Sequence, residues 1–402
     1  MAAVASTAVR GENWPQFRGL DGQGHSAARD LPAEWSTKKN VVWQASLPGQ
    51  GWSSPVLSDA RIYLTTAVLT GEKNLSLRTL CLDSRTGKFV WNTEVFGGTA
   101  GNIHTKNSHA SPTPLVESNR LYVHFGHQGT ACLDLTGKII WRNTELKYPP
   151  VHGSGGSPVV VDDALIFSCD GANNPFVVAL DKRTGKMLWK TARETDATKK
   201  FSFSTPLVVT VKGRKQVISP GSNAVCAYDP KTGEEIWRVR YDGYSVIPRP
   251  VSGHGLVYIS TGFDRPVVMA IRPDGQGDVT DTHVAWTVRR GAPNTPSLLL
   301  AGDELYLVAD SGMASCLDAR TGQLHWQERI GGNCSASPVY ADGRIYIQNE
   351  EGVGTVIKAG KQFEKLATNS LQERTLASYA VGDDALFIRT ELHLYRIQEL
   401  VP

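Results

Sequence analysis

The sequence lacks the features of several large classes of protein. Its 402 residues contain no Lys/Arg run of five or more, and 42 basic against 39 acidic residues leave a net charge of +3. That balance argues against a nucleic-acid partner. No uncharged apolar stretch reaches the ~18 residues that a membrane-spanning helix needs. We therefore expect a globular chain without a transmembrane segment.

Cysteine is scarce, and its placement argues against a disulfide framework. The six cysteines include no CxxC motif and no adjacent pair. Four of them, Cys81, Cys132, Cys226 and Cys316, stand two or three residues before the Asp of a repeated phrase. Such repetition indicates one small buried side chain per repeat, and the disulfide state stays open. P-loop, GxGxxG and HExxH motifs are also absent, so no familiar catalytic signature identifies a site.

A repeat of about 48 residues organises most of the chain. Seven tryptophans stand 48 to 50 residues apart with one interval of 40, namely Trp43, Trp91, Trp141, Trp189, Trp237, Trp286 and Trp326. A turn phrase precedes most of them, as in DSRTGKFVW (Asp83–Trp91) and DKRTGKMLW (Asp181–Trp189). Gly permits positive φ, Asp and Thr bond to turn backbone, and the alternating run that ends at Trp is typical of a strand.

Each unit predicts four short antiparallel strands, which together form a propeller blade. A pair of strands such as SSPVLSDARIYL (Ser53–Leu64) precedes the Trp hairpin in most units. Blades bury their apolar faces only against neighbouring blades. We therefore predict an all-β, eight-bladed β-propeller of four-stranded antiparallel blades. Seven blades are the alternative, because the seventh unit has lost both Trp and Thr-Gly.

The N-terminal region is predicted to close and cover the ring. The last unit supplies only three strands, so Asn40–Leu47, with its isolated Trp43, is predicted to complete that blade. Residues 1–39 are expected to be an extension packed on a single propeller domain of residues 40–402. We interpret Met1–Arg10 as the remnant of a removed signal peptide, which predicts a periplasmic or secreted protein. A cytoplasmic location stays open.

The repeated A/CLDxxTGxxxW phrase resembles the pyrroloquinoline-quinone-like (PQQ-like) repeat. That repeat is shared by quinoprotein alcohol dehydrogenases and by outer-membrane assembly lipoproteins of the BamB type. The opening NWPQFRGLDGQGHS (Asn13–Ser26) and LPAEW (Leu31–Trp35) resemble uncharacterised exported bacterial members. The resemblance covers about residues 13–400 and implies the propeller fold. It does not decide the activity, because propellers host unrelated functions.

The sequence lacks features that the dehydrogenases and the assembly lipoproteins would each require. The dehydrogenases would require an adjacent Cys pair, a longer chain and a matching set of calcium-binding residues, none of which can be placed here. The assembly lipoproteins would require an N-terminal lipidated Cys, and no Cys precedes Cys81. PQQ is therefore not expected as a cofactor, and a PQQ-dependent oxidoreductase is the third of three functional hypotheses.

We expect the functional residues at one mouth of the central channel, where loops between blades converge. Five of ten histidines fall between residues 104 and 152 and map to that rim. Histidine is the usual metal ligand and general base near neutral pH. Chance clustering in polar loops is the alternative. The candidate catalytic residues are His104, His109, His152, Tyr244 and Arg249, and the candidate ligands of a divalent metal (Zn²⁺ or Ca²⁺) are His124 and His127.

Further residues of the same rim are candidates for ligand binding. Trp52 interrupts the Trp spacing at the start of a blade, where it could stack on a sugar ring. Arg side chains of this rim could pair with an anionic group such as a uronate or phosphate. The candidate ligand-binding residues are Trp52, Asp170, Asn173, Asn174, Asp264 and Arg265.

These features support two functions from different classes. The first is an exported platform that binds a protein or glycan ligand at the channel mouth, expected to be a monomer. The second is a carbohydrate-active enzyme, a lyase or hydrolase on an acidic glycan, in which a His/Tyr pair abstracts a proton beside the carboxylate. Converging His, Tyr and Arg side chains in one pocket would favour the enzyme.

Overall fold

The computed structural model describes residues 12–400, which form eight antiparallel sheets arranged as the blades of one propeller. The predicted all-β, eight-bladed fold is confirmed. The seven-bladed alternative is wrong, because the seventh unit forms four strands even though it lacks Trp and Thr-Gly. Met1–Arg10, which we interpret as a signal-peptide remnant, lies outside the described residues.

Two strands precede the first blade, β1 (His25–Ser26) and β2 (Val41–Ser46). Blades 1 to 4 follow in chain order. Their strands are β3 (Val56–Ser58), β4 (Arg61–Leu69), β5 (Asn74–Asp83) and β6 (Phe89–Thr99); β7 (Leu115–Glu117), β8 (Arg120–His124), β9 (Thr130–Asp134) and β10 (Ile139–Asn143); β11 (Val159–Val161), β12 (Ala164–Cys169), β13 (Phe176–Asp181) and β14 (Met187–Ala192); β15 (Leu207–Val211), β16 (Arg214–Gly221), β17 (Ala224–Tyr228) and β18 (Glu235–Arg240).

Blades 5 to 8 complete the ring, and each blade begins with its innermost strand. Their strands are β19 (Val251–Gly253), β20 (Leu256–Ser260), β21 (Val268–Ile271) and β23 (Val284–Val288); β24 (Leu299–Ala301), β25 (Glu304–Val308), β26 (Met313–Asp318) and β27 (Leu324–Arg329); β28 (Val339–Ala341), β29 (Arg344–Gln348), β30 (Val353–Lys358) and β31 (Lys365–Ser370); β32 (Ala380–Gly382), β33 (Ala385–Arg389) and β34 (His393–Ile397). The short β22 (Gly277–Asp278) joins β18 in parallel, and two single helical turns are Gly126–Gln128 (3₁₀) and α1 (Thr280–His283).

The ring is closed by the N-terminal strand, as predicted. β2 pairs antiparallel with β34, so that Val41 lies opposite Ile397 and Ser46 opposite His393. The eighth blade is therefore built from both ends of the described chain. At the same junction Arg389 of blade 8 donates to the Ser53 and Thr65 carbonyl oxygens of blade 1, at 3.1 and 2.9 Å.

Six of the seven repeat Trp residues fasten their blade to the next one. Six indole Nε1 groups donate to a backbone carbonyl of the following blade at 2.9–3.1 Å. In five of these pairs the indole also covers the Thr-Gly glycine of that blade so closely that a Cβ there would lie 2.5–2.8 Å from the ring. The glycine is thus required twice, for its positive φ and for the space that the indole occupies.

Two junctions depart from this pattern, and each has a substitute. Blade 5 has a long loop instead of the Thr-Gly turn, and Trp237 of blade 4 bonds within its own blade to Gln216 Oε1 at 2.9 Å. Blade 7 has no Trp. There the N-terminal Trp35, only 3% exposed, packs against Tyr346 of blade 7 and Tyr379 of blade 8, each with ring centroids 6.4 Å apart.

Three of the four repeated cysteines fill the space between two aromatic neighbours, whereas Cys226 lies opposite Ser219 and Arg238. Cys81 lies opposite Tyr63 on one neighbouring strand and opposite Trp91 on the other. Cys132 and Cys316 have the same arrangement in blades 2 and 6. A small side chain is needed between two large rings. All six cysteines are buried and free, so the four repeated ones are the small buried side chains that the sequence predicts.

The inner wall of the channel is held by hydroxyl groups at equivalent positions. At six junctions the backbone N–H of one inner-strand residue donates to a Ser or Thr hydroxyl of the next blade at 2.9–3.0 Å. The acceptors are Thr113, Ser157, Thr205, Ser297, Ser337 and Ser378. Arg249 stands at the equivalent position of blade 5, so the series is interrupted there.

The N-terminal segment crosses one end of the channel. Trp14 exchanges two backbone hydrogen bonds with Leu57 of blade 1, at 3.0 and 2.9 Å. Only four residues later, Arg18 donates to the Leu298 carbonyl of blade 6 at 2.7 Å and to the Pro338 carbonyl of blade 7 at 3.2 Å. Beyond it, β1 pairs in parallel with β28 of blade 7. The channel is thereby covered on this rim. The division at residue 39 into extension and propeller stays a prediction.

The contact between Trp and glycine can be tested with two glycines of blade 4. Gly233 (φ +75°) lies under Trp189, where a Cβ would be 2.5 Å from the indole, whereas Gly213 (φ +80°) has nothing within 4 Å. Gly213→Ala should cost about 1 kcal/mol of unfolding free energy for the left-handed backbone alone. Gly233→Ala should cost about 1–3 kcal/mol more, because the indole must move. Denaturant unfolding measures the loss of unfolding free energy in both variants. Equal losses would contradict the contact between Trp189 and Gly233.

Candidate functional site

The rim opposite the N-terminal segment opens into a cavity of about 310 Å³ within the channel. Phe17 of the crossing segment belongs to its lining and forms its floor. The wall includes the hydroxyls of the inner-strand series and the residues two positions before each hydroxyl or, in blade 5, before Arg249. Those positions are Trp52, Ser111, Gly155, Phe203, Ile247, Thr295, Ser335 and Leu376. The cavity is therefore the central channel itself, closed below and open above.

Four of the predicted site residues meet in this cavity, namely Trp52, His104, His152 and Tyr244. The rings of His104 and His152 lie edge to face with centroids 5.4 Å apart, and the backbone N–H of His104 donates to the His152 backbone carbonyl at 3.2 Å. Burial lowers the pKa of His152, and the neighbouring His104 is the second cause. The two imidazoles form one wall of the mouth.

Tyr244 lies on the far side of Phe201 from His152, and polar contacts hold it with its ring in the cavity lining. Lys199 Nζ donates to the phenolic oxygen at 2.7 Å, and the phenol donates to Asp264 Oδ1 at 2.9 Å. The Lys199 ammonium also lies 4.1 Å from the centroid of the Tyr244 ring. The phenol thus bridges a cation and a carboxylate at the edge of the mouth, and the neighbouring Arg265 is exposed.

Trp52 lies across the mouth from Tyr244 and stacks with a cation. The Arg374 guanidinium lies 5.4 Å from the centroid of the Trp52 ring and donates to the Thr105 carbonyl at 2.8 Å. Lys106, in the same loop as His104, pairs with Glu350 of blade 7 at 2.7 Å. The loop after β6 therefore reaches from the His152 side of the mouth to blades 7 and 8, and it narrows the entrance.

Arg249 lies beneath the floor of the cavity rather than in its lining. Its side chain is 2% exposed and donates to the Phe17 carbonyl at 2.6 Å and to Gln16 Oε1 at 3.4 Å. In this position it fastens the crossing segment to blade 5. A direct contact between Arg249 and a ligand would require Phe17 to move.

The candidate metal ligands His124 and His127 lie apart from the cavity. His124 is 3% exposed, accepts or donates one bond with Thr130 Oγ1 at 2.8 Å, and packs on Phe167 with centroids 4.4 Å apart. Burial lowers its pKa to about 3. His127 contacts Tyr148 edge to face, and burial lowers its pKa and that of His109. Among residues 12–400, no three His, Cys, Asp or Glu side chains form a group that could hold a metal ion.

Asp170 forms a buried ion pair between blades 3 and 4. Arg193 Nε donates to Asp170 Oδ1 at 2.9 Å, and the side chains are 5% and 1% exposed respectively. Burial raises the pKa of Asp170 to about 6, and the Arg193 charge opposes that rise. Its Oδ2 has no hydrogen-bond partner among the described residues. Asn173 and Asn174 lie exposed on the loop that follows.

The lining does not fit a metal-held quinone. Among the described residues that line the cavity, none is Asp, Glu or Cys. A divalent cation would find no carboxylate ligands there, and a quinone ring would find no cysteine pair to pack against. The geometry therefore supports binding through aromatic, hydroxyl and imidazole groups.

Aromatic residues that sequence reasoning missed complete the wall. Phe201 stacks edge to face with His152 and Tyr244, at 5.2 and 5.7 Å between centroids, while Phe203 and Phe263 extend the same surface. A signal for some of them existed. Side chains alternate along a strand, so the residue two positions before each wall hydroxyl must also face the channel. Aligning the repeats on their Ser/Thr-Pro step would have identified Phe203, which stands two positions before Thr205-Pro206.

An eight-bladed propeller with one covered rim and one open cavity defines the class of protein, and comparisons place the chain within it. Three overlapping stretches, residues 38–174, 173–301 and 295–391, match the family model described as outer membrane protein assembly factor BamB. The chain belongs to this family. In residues 12–400 no helix has the length and apolar character to cross a membrane.

Individual relatives match over only part of their length. Outer membrane protein assembly factor BamB of Yersinia pestis is 27% identical over 207 residues, which cover 45% of this chain and 48% of that protein. The lanthanide-dependent methanol dehydrogenase of Methylorubrum extorquens is 32% identical over 152 residues, 34% of this chain and 24% of the enzyme. The chain thus matches half or less of the length of these relatives.

A solved structure supports the fold over nearly the whole chain. BamB from Moraxella catarrhalis superposes with a TM-score of 0.64, covering 90% of this chain and 98% of that chain at 13% identity. At this identity the likeness shows a shared fold and does not transfer a site.

The buried His124 predicts a dependence of stability on pH. Its pKa is about 3 in the folded protein and ~6.5 in the unfolded chain. Above pH ~6.5 the imidazole is neutral in both states. As the pH falls from ~6.5 toward 3, only the unfolded chain takes up the proton, so the unfolding free energy decreases. In His124→Gln the unfolding free energy should fall less steeply between pH 6 and 4, by up to about 1.4 kcal/mol per pH unit. Urea unfolding at several pH values measures the slopes. Identical slopes for the two proteins would show that His124 charges in the fold.

Proposed function

We propose that this protein is a binding platform that takes an apolar group of a partner protein into the cavity at its open mouth. One observation supports this above others. The channel is covered below by residues 14–26 and ends above in an open cavity with an aromatic wall. A cavity of about 310 Å³ lies at the small end of the range for ligand sites. It has room for one or two side chains or a small ligand.

Aromatic side chains in a partly enclosed pocket are typical of the centre of protein interfaces. Trp and Tyr are enriched among the residues that contribute most to binding energy. Trp52 and Tyr244 stand on opposite sides of the mouth, each stacked with a cation, while Phe263 lies beside Tyr244. Apolar surface at the centre surrounded by polar groups is the expected anatomy of such a site. The relatives named as assembly factors support a protein partner, and we propose a periplasmic or secreted location on the same basis.

Photocrosslinking tests the platform with two matched positions. p-Benzoylphenylalanine at Phe263, in the cavity wall, should yield a discrete protein adduct in the source cells. The same residue at Phe89, 44% exposed on the outer strand β6, should not. Ile247→Trp, which fills the cavity, should reduce the Phe263 adduct about tenfold, the loss expected from removing a central contact. No adduct at Phe263, or equal adducts at both positions, would contradict the proposal.

A lyase acting on an acidic glycan is the second candidate, because His104, His152 and Tyr244 reach one cavity. In such a reaction a base removes the proton beside the uronate carboxylate. The glycosidic C–O bond then breaks, its oxygen leaves with the bonding electrons, and a C=C bond forms. Tyr244 is the candidate base: its phenolic proton would pass to Asp264 Oδ1 as its oxygen, which also accepts from Lys199, takes the proton from the substrate.

The product of that elimination absorbs ultraviolet light, which gives a direct assay. The enzyme hypothesis expects absorbance to rise when the protein is incubated with polygalacturonate or alginate. Tyr244→Phe should lower the rate by about 100-fold or more, as loss of a general base does. A rate no higher than that of protein-free buffer, on both polymers, would exclude this lyase reaction on them.

A further inference from the structure

The cavity is lined by groups that favour negative charge. Its titratable lining residues, among those described, are His104, Lys106, His152 and Tyr244, and no carboxylate contributes to the wall. Two carboxylates bond to these residues from outside the lining. Glu350 accepts from Lys106 at 2.7 Å and Asp264 accepts from Tyr244 at 2.9 Å. Both carboxylates therefore already have a hydrogen-bond donor.

Two buried guanidinium groups lie directly under the floor. Arg18 is 1% exposed and donates to the carbonyls of Gln23, Leu298 and Pro338, at 2.7, 2.7 and 3.2 Å. Arg249 likewise bonds to a carbonyl and an amide oxygen. The Nε atoms of both arginines lack a hydrogen-bond partner among the described residues. Within residues 12–400, neither guanidinium is bonded to a carboxylate.

The charge of this pair is only partly balanced. Asp21 is the carboxylate that acts on both arginines, and it also pairs with His25 at 3.6 Å. Burial lowers the pKa of Arg18 to about 9, with Arg249 as the second cause, and lowers that of Arg249 to about 10. Both therefore remain cations at neutral pH. Buried charges without nearby counter-charges act over several ångströms, because the protein interior screens them poorly.

We propose that the partner segment entering the cavity carries negative charge, as an aromatic side chain flanked by Asp or Glu. The aromatic group would pack on Phe201, Phe203 and Tyr244, and the carboxylates would lie toward Lys106, the two imidazoles and the field of the floor. This inference rests on the proposed function, since it specifies the ligand of the same cavity. It excludes basic segments as partners.

Two capped tripeptides that differ only in charge test it, Asp-Trp-Asp and Asn-Trp-Asn. Calorimetry at low salt should show about tenfold tighter binding of the acidic peptide, a preference that shrinks at 0.5 M NaCl. In Lys106→Gln the preference should fall by about threefold, and in Arg249→Gln similarly. The exposed Lys186, on a turn of the opposite rim, provides the control, and Lys186→Gln should change nothing. Thermal unfolding checks that each variant folds. If Arg249→Gln does not fold, Lys106→Gln alone tests the charge preference.

The outcomes separate the two proposals. Equal affinity for the two peptides would overturn the charge preference and leave the cavity as an apolar binding site. A second probe pair, naphthalene-2-carboxylate and its carboxamide, enters the cavity without a peptide backbone. Tight binding of the carboxylate with no binding of either peptide would overturn the protein segment in favour of a small acid. Failure of all four probes would overturn the proposed function itself.

Discussion

The contact between an indole and a glycine of the next blade is the interaction on which the ring depends. A four-stranded blade has two apolar faces and can bury them only against its neighbours. The indole closes the outer part of that junction, and its Nε1–H bonds to the adjoining turn. The hydroxyl series closes the inner part. Between these two lines of contact the apolar faces pack, and the circle they enclose becomes the channel.

The fold could be predicted because these contacts repeat. Regular Trp spacing, Thr-Gly turns and the isolated Trp43 were sufficient for eight blades and for closure by β2. What could not be predicted is the substitution at the seventh junction. Trp35 occupies it from the N-terminal segment, and a residue more than 300 positions away from its contacts in the sequence leaves no periodic trace. The path of residues 14–26 across the channel is a tertiary arrangement for the same reason.

The site could be predicted in part. Loop position alone brought His104, His152, Tyr244 and Trp52 to one cavity, because inter-blade loops converge at the mouth. The charge and type of a candidate residue did not indicate whether its side chain lines the cavity or is buried away from it. Arg249 lies under Phe17, and Asp170 is occupied by Arg193, since each needs a partner once it is buried. The aromatic wall was overlooked because Phe residues are usually core residues.

The pairing of β2 with β34 also has a consequence for the order of folding. Its partners are separated by more than 340 residues, so the contact carries a large loop-closure entropy and forms late. Domains begin to fold from the N-terminus as the chain is made. Here the first long strand has no partner until the last one exists. During that interval β2 has an unpaired sheet edge, and blade 1 exposes the apolar face that blade 8 later covers.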